Sequence, residues 1–262
     1  MLKLKKGLCL ESLRQPLKKA LATAAAMGAE GVEINARTEL RPTELTRTGV
    51  RHLKKMLADL GLKVSAIHFP TRRGYDDTED LERRIDATKS AIDMAYQLGA
   101  TVVTNRIGRV PEDPSDDRRH TMVQALTDIG IHSQRAGAWL AARTASEDGD
   151  RLKGLMDSLP PLTLGVDFDP GEIIINGFSA EASLKALGSH VMNFRARDAV
   201  RDLALGRGLE VQLGRGSVDM PGLLGVLEEN GYAGYITIER DSESDCAMQC
   251  AQSIEYLDNL FA

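Results

Sequence analysis

Eight short, mostly apolar runs recur along the chain, and each is followed by an amphipathic stretch of helical period. The runs are GLCL (7–10), GVEINA (31–36), VSAIHF (64–69), TVVTNR (101–106), AWLAAR (138–143), LGVDFD (164–169), HVMNFR (190–195) and YITIER (235–240). Such runs suit strands buried on both faces of a parallel sheet. PLKKALATAAAMGA, TELTRTGVRHLKKMLADLGL and TEDLERRIDATKSAIDMAYQLGA read as the first three helices, each closed by a glycine suited to a left-handed cap. SDDRRHTMVQALTDIGIHSQRAG, DGDRLKGLMDSL, SAEASLKAL, DMPGLLGVLEENG and a last stretch through 253–260 supply the other five. In the seventh, Asp219 is placed to cap the N-terminus and Pro221 falls in the first turn, where its missing N–H is harmless. Eight strands in alternation with eight helices predict an α/β fold of one domain over residues 1–262, a (β/α)8 TIM barrel. An open doubly wound sheet of eight such units would be unusually large.

Composition narrows the function classes. Asp and Glu total 38 against 33 Lys and Arg, a net charge of −5, which argues against a nucleic-acid partner. No apolar run nears the roughly 20 residues needed to span a bilayer, so no membrane partner is expected. The opening MLKLKKGLCLESLRQPLKK has no apolar core or small-residue cleavage site of a signal peptide, so the expected location is cytoplasmic. Three scattered cysteines make no disulfide framework, and Cys246 and Cys250 are spaced as neighbouring thiols on a helix.

In a barrel of this kind the chemistry sits at the C-terminal ends of the strands. Those positions hold Glu33, Asn35 and Arg37, then His68, then Asn105, Arg106 and Arg109. They continue with Arg143, Asp167, Asp169, Arg195, Arg197, Asp198 and Glu239. Side chains alternate along a strand, so Asn105 and Arg106 cannot both point inward. His68 is the one histidine of five near a strand's C-terminal end. The glycines of GRGLEVQLGRG do not follow a strand in a phosphate-loop arrangement and read as turns in a long seventh loop. Arginines recur in most of these loops, which suits a small carbohydrate or a related anion as ligand.

GAEGVEI, LGVDFDPG, RARDA, EVQLGRGSVDMPGLLGVLEENGYAGYITIER and a closing EYL together resemble the xylose isomerase-like TIM barrels, a group of sugar isomerases, epimerases, dehydratases and apurinic endonucleases. The resemblance implies a divalent cation (Mn, Mg, Co or Zn) held by a Glu ending strand five and an Asp ending strand six. A His in an H-A-K-D run on strand seven and a Glu ending strand eight complete the set. Here Asp169 and Glu239 keep two of those positions. Arg143 stands at the strand-five end, and the run on strand seven reads Arg195-Ala196-Arg197-Asp198. A guanidinium has no lone pair to give a metal and stays protonated. Three carboxylates and a 2+ ion sum to −1, whereas two carboxylates and two guanidiniums sum to zero. The expectation is therefore a metal-free site, with no cofactor and two Arg–carboxylate pairs in place of the ion.

The resulting functional expectation is a sugar or sugar-acid isomerase/epimerase-like protein of altered, metal-free chemistry. Glu239 and His68 are its candidate acid–base groups. Arg143 and Arg195 would face a developing enediolate, and Asp169, Arg197, Glu33, Asn105 and Arg109 would complete the ligand pocket. A non-catalytic descendant that only binds, and an ordinary metal-dependent isomerase, are the alternatives. A repair nuclease is set aside, because it needs a His-rich multi-metal cluster. A homo-oligomer is compatible with the sequence.

Overall fold

The computed structural model describes residues 5–202, 207–241 and 245–261. Eight parallel strands close into a barrel: β1 (Lys5–Cys9), β2 (Gly31–Asn35), β3 (Lys63–His68), β4 (Val102–Asn105), β5 (Trp139–Arg143), β6 (Gly165–Phe168), β7 (Val191–Ala196) and, after two short extra strands, β10 (Tyr235–Ile238). β10 pairs with both β7 and β1, which closes the ring. Each of the eight apolar runs becomes one barrel strand, shifted by at most two residues at either end.

Around the barrel lie α1 (Leu17–Ala26), α2 (Arg47–Asp59), α3 (Leu81–Leu98), α4 (Asp117–Ala136), α5 (Gly149–Met156), α7 (Ala180–Leu187), α8 (Met220–Glu229) and α9 (Cys246–Phe261). Side chains start several of them: Thr46, Asp116, Asp148, Ser179 and Asp219 each accept a hydrogen bond from a backbone N–H of the first turn. Gly99 and Gly137 close α3 and α4 in the left-handed conformation, with φ of 85° at both. None of the helices is long and apolar enough to cross a membrane among the described residues. Cys9, Cys246 and Cys250 are buried thiols.

Three features depart from the strict alternation. A short helix, α6 (Pro170–Ile175), begins directly after β6, because Asp169 caps it and Pro170 fits its first turn. The last helix starts at Cys246, not 253. The long seventh loop folds as an antiparallel hairpin of β8 (Asp198–Arg201) and β9 (Gly208–Val211). One carboxylate fastens that loop: Asp198 accepts from the backbone N–H groups of Ala199, Gly214, Gly216 and Val218. Gly214 has φ 81°, as its reading as a turn residue requires, whereas Gly206 of the same glycine run lies outside the described residues, as does the opening stretch Met1–Leu4.

The strand alternation sorts side chains into two cores. Phe168 and Phe194 point outward and stack at 5.7 Å in the main core beneath the helices. Ala66, Val102 and Ala141 form a separate small cluster, and each lies two residues before a site residue: His68, Thr104 and Arg143. The barrel interior is thus apolar and narrow below and polar above.

α4 packs so closely that a methyl group at Gly130 would lie 2.5 Å from Thr163 Cγ2 and 2.9 Å from its Cα. Gly130→Ala is therefore expected to destabilise by about 1–3 kcal/mol, although alanine normally favours a helix interior. Gly154, in α5, has nothing within 4 Å of that position. Gly154→Ala should raise the urea midpoint where Gly130→Ala lowers it.

Candidate active site

β6 and β7 carry the centre of the site. Asp167 and Asp169 on one, and Asn193, Arg195 and Arg197 on the other, are two residues apart and so share the inward face. Arg195 is the largest fully buried side chain among the described residues. Its Nε lies 3.0 and 2.9 Å from the two carboxylate oxygens of Asp167, and its Nη2 donates to Asp167 Oδ2 at 2.7 Å and to Glu33 Oε1 at 2.9 Å. Nη1 donates to Glu239 Oε2. Asn193 holds Asp167 from below at 2.7 Å and is itself held by Thr237. Burial alone would lower the Arg195 pKa, but Asp167, Glu239 and Glu33 raise it well above its ordinary value.

Arg143 ends β5 and lies across the two retained acidic positions. Nε and Nη2 donate to Asp169 Oδ2 at 3.1 and 2.7 Å, and Nη1 donates to Glu239 Oε1 at 3.2 Å. Arg197 Nη1 reaches the same Asp169 oxygen at 2.7 Å, and its Nη2 meets Glu210 of the hairpin at 3.2 Å. Glu210 also pairs with Arg240 at 2.8 Å, so the hairpin is clasped over the barrel mouth. The other oxygen of Asp169 caps α6 through Glu172 N–H at 3.1 Å, so Asp169 serves the turn and the site together. Burial would raise both carboxyl pKa values. Arg197 and Arg143 nevertheless bring Asp169 down to about 2, and Arg143, Arg195 and Arg197 hold Glu239 well below the carboxylate range.

His68 ends β3 at the mouth. Its Nδ1 lies 3.1 Å from Thr104 Oγ1 and 3.6 Å from Glu33 Oε1. Burial, then the guanidiniums of Arg195 and Arg143, lowers its pKa to about 4, so the ring is neutral at physiological pH.

Above these groups opens a cavity of about 580 Å³. His68, Asn105, Arg143 and Glu239 line it below, and Glu11, Arg14, Arg106, Arg240 and Asp241 contribute to its walls. Glu33, Asp169, Arg195 and Arg197 form the layer that supports these lining groups. Asn105 is buried against the loop after β3, where it bonds Thr71 and Tyr75. Arg109 does not join this constellation: it is exposed and off the cavity lining, because Val110 and Ile107 are the residues of that loop that turn into the core. Thr104, Glu210 and Arg240 belong to the network although none is among the candidate positions read from the sequence, whereas Asp167 was one of those strand-end positions.

A divalent cation needs lone pairs converging from several side chains. Asp169 and Glu239 instead turn their oxygens to guanidinium N–H donors, and Arg143 and Arg195 have none to give. In this arrangement the residues do not fit a resident divalent cation. The immediate balance is four carboxylates (Glu33, Asp167, Asp169, Glu239) against three guanidiniums (Arg143, Arg195, Arg197), 3 − 4 = −1, where the strand ends alone suggested neutrality.

Removing a guanidinium from such a cluster leaves buried carboxylates uncompensated. Arg195→Met is expected to lower stability by about 3–5 kcal/mol at neutral pH, with the deficit shrinking in acid as the carboxylates protonate. Chemical denaturation across pH reads both effects. His68 supplies a second signature: between about pH 6.5 and 4 its imidazole binds a proton in the unfolded chain but not in the folded one. Stability therefore falls as pH drops through that window, and His68→Gln should flatten this part of the profile.

Residues 21–260 match the sequence profile of the xylose isomerase-like TIM barrel family. Among solved structures, a xylose isomerase domain protein from Planctomyces limnophilus is 25% identical, with a TM-score of 0.84 over 98% of this chain and 96% of that one. A xylose isomerase-like TIM barrel protein from Mycobacterium smegmatis, solved in complex with magnesium, is 17% identical, with a TM-score of 0.79 over 98% and 96% of the two chains. A D-allulose 3-epimerase from Methylomonas sp. is also 17% identical, with a TM-score of 0.77 over 99% of each chain. The two at 17% share the fold. No curated protein sequence matches the chain. With its barrel closed and its profile matched over nearly the whole length, this chain belongs to the xylose isomerase-like TIM barrel family.

Proposed function

We propose that this chain is a sugar or sugar-acid isomerase/epimerase-like protein that works without a divalent cation and takes a small polyhydroxylated ligand in the cavity above Arg143. The observation that carries the reading is the Arg143 guanidinium bridging Asp169 and Glu239, at 2.7 Å from one and 3.2 Å from the other. A bridging guanidinium supplies positive charge and directed N–H donors, two of the services a cation gives a carbonyl oxygen, though not direct coordination. Arg143 has five N–H groups, and one on Nη1 has no acceptor among the described residues, which leaves it for a ligand oxygen. The cavity volume suits a small ligand. Arg106 and Arg240 on its wall favour a hydroxyl-rich ligand or one bearing a carboxylate.

A second reading, binding without turnover, has one observation in its favour. Glu239, the proton-transfer group the family pattern implies, is engaged by two arginines, and a carboxylate held far below its ordinary range is a weak base.

Calorimetric titration with MnCl2 is expected to give no saturable heat, and chelation with EDTA no change in melting temperature; one tight manganese site in the wild type overturns the metal-free reading. Arg143→Ala is expected to weaken binding of any aldonic acid or ketose that the wild type takes by about tenfold or more, on the scale of one charged hydrogen bond.

A further inference from the structure

The hydroxyl of Thr104 decides which nitrogen of His68 carries the proton. Thr104 Oγ1 donates to Glu33 Oε1 at 2.8 Å. That carboxylate oxygen also accepts from Arg195 Nη2 at 2.9 Å, so it stands as an acceptor. A hydroxyl has one hydrogen; once that points at Glu33, only lone pairs remain for His68 Nδ1 at 3.1 Å. Nδ1 must then be the donor, and in a neutral imidazole the lone pair falls on Nε2. The ring lines the cavity, and Nε2 has no partner among the described residues.

We propose that Glu33 and Thr104 hold His68 as its Nδ1–H tautomer, and that its bare Nε2 is the proton acceptor for an α-hydroxy aldehyde or ketone in the cavity. This rests on the carbohydrate reading above. The balance closes without a co-reactant. Nε2 takes the proton from the carbon beside the carbonyl, and the C–H electrons form the double bond of an enediolate. The charge passes to the carbonyl oxygen, which faces the remaining Arg143 N–H. The hydroxyl proton crosses to that oxygen, and the imidazolium returns its own proton to the neighbouring carbon. Because Glu239 is engaged by Arg143 and Arg195, one base serves both steps from one face. One base suits interconversion of an aldose and a ketose; inversion of a carbon by two opposed bases would need a second free one. Thr104 and Glu33 are positioning residues.

Two measurements test this. In ¹⁵N-labelled protein at pH 7, long-range proton–nitrogen correlation should show hydrogen on Nδ1 of His68 and none on Nε2. Thr104→Val should mix the two tautomers and Thr104→Ser restore the single one; a wild-type ring protonated on Nε2 overturns the proposal. In D2O, wild-type protein incubated with D-xylose, D-ribose, D-glucose and their ketoses should wash deuterium into the carbon next to the carbonyl. His68→Gln should slow this by about a hundredfold or more. Thr104→Val should lower kcat with KM little changed, and Thr104→Ser recover it. Arg195, Arg143, Glu33, Glu239 and Asp167 are the charged groups facing the ring, and burial together with the two arginines places the acid limb of the wild-type rate near pH 4 instead of 6.5. If calorimetry shows a sugar bound but no deuterium exchanged, the base role is overturned and the carbohydrate reading stands. If no sugar binds, both fall.

Discussion

Everything at the mouth of this barrel depends on the buried guanidinium of Arg195. A charge so far from water survives only if paired on every side, and Arg195 is met by Asp167, Glu33 and Glu239 from three other strand ends. Those contacts join β2, β6, β7 and the end of β10 at one depth, with Thr104 of β4 beside them. Backbone ladders close the barrel, but this polar layer sets the positions of the side chains above it. Replaced by a hydrocarbon, it would hold neither the Glu239 carboxylate nor the Glu33–Thr104 pair in place.

A site built on guanidiniums differs chemically from one built on a cation. A cation concentrates two charges at a point and binds ligand oxygens directly, whereas a guanidinium spreads one charge over a plane and offers hydrogens along fixed directions. Arg143 uses most of those directions on Asp169 and Glu239, which keeps both carboxylates ionised and removes them as ready proton acceptors. The same guanidiniums, together with burial, lower the pKa of the His68 imidazole, which stays neutral beside Thr104 and Glu33. The two arginines and the histidine thus form one electrostatic design: the positive charge that makes Glu239 a weak base also keeps His68 unprotonated.

The fold was legible because barrel strands and helices are encoded locally. Apolar runs, Asp219 as a cap and Gly99 and Gly137 as stops act within a few residues of themselves, and all behave as their sequence positions imply. α6 and the β8–β9 hairpin were not legible, since the first is a single turn and a half and the second is pinned by Asp198 to amides as many as 20 residues away. At the site, Arg143, Asp169, Arg195 and Glu239 could be chosen because each ends a strand. Arg109 was a candidate as part of the loop after β4 and lies outside, because a residue four positions past its strand is free to turn to solvent.

By itself, then, the sequence determined a (β/α)8 barrel, the strand ends at its mouth, and the presence of arginines at the ends of the fifth and seventh strands. Only the tertiary structure decided which carboxylate meets which guanidinium, that Glu33 reaches Arg195 across 162 residues of chain, and that the Thr104 hydroxyl lies between Glu33 and His68. The physical reason is one of range. Periodicity, capping and turn preference are short-range and are written in consecutive residues, whereas the ionisation of Glu239 and the tautomer of His68 depend on charges and hydrogens supplied by strands that closure of the barrel alone brings together.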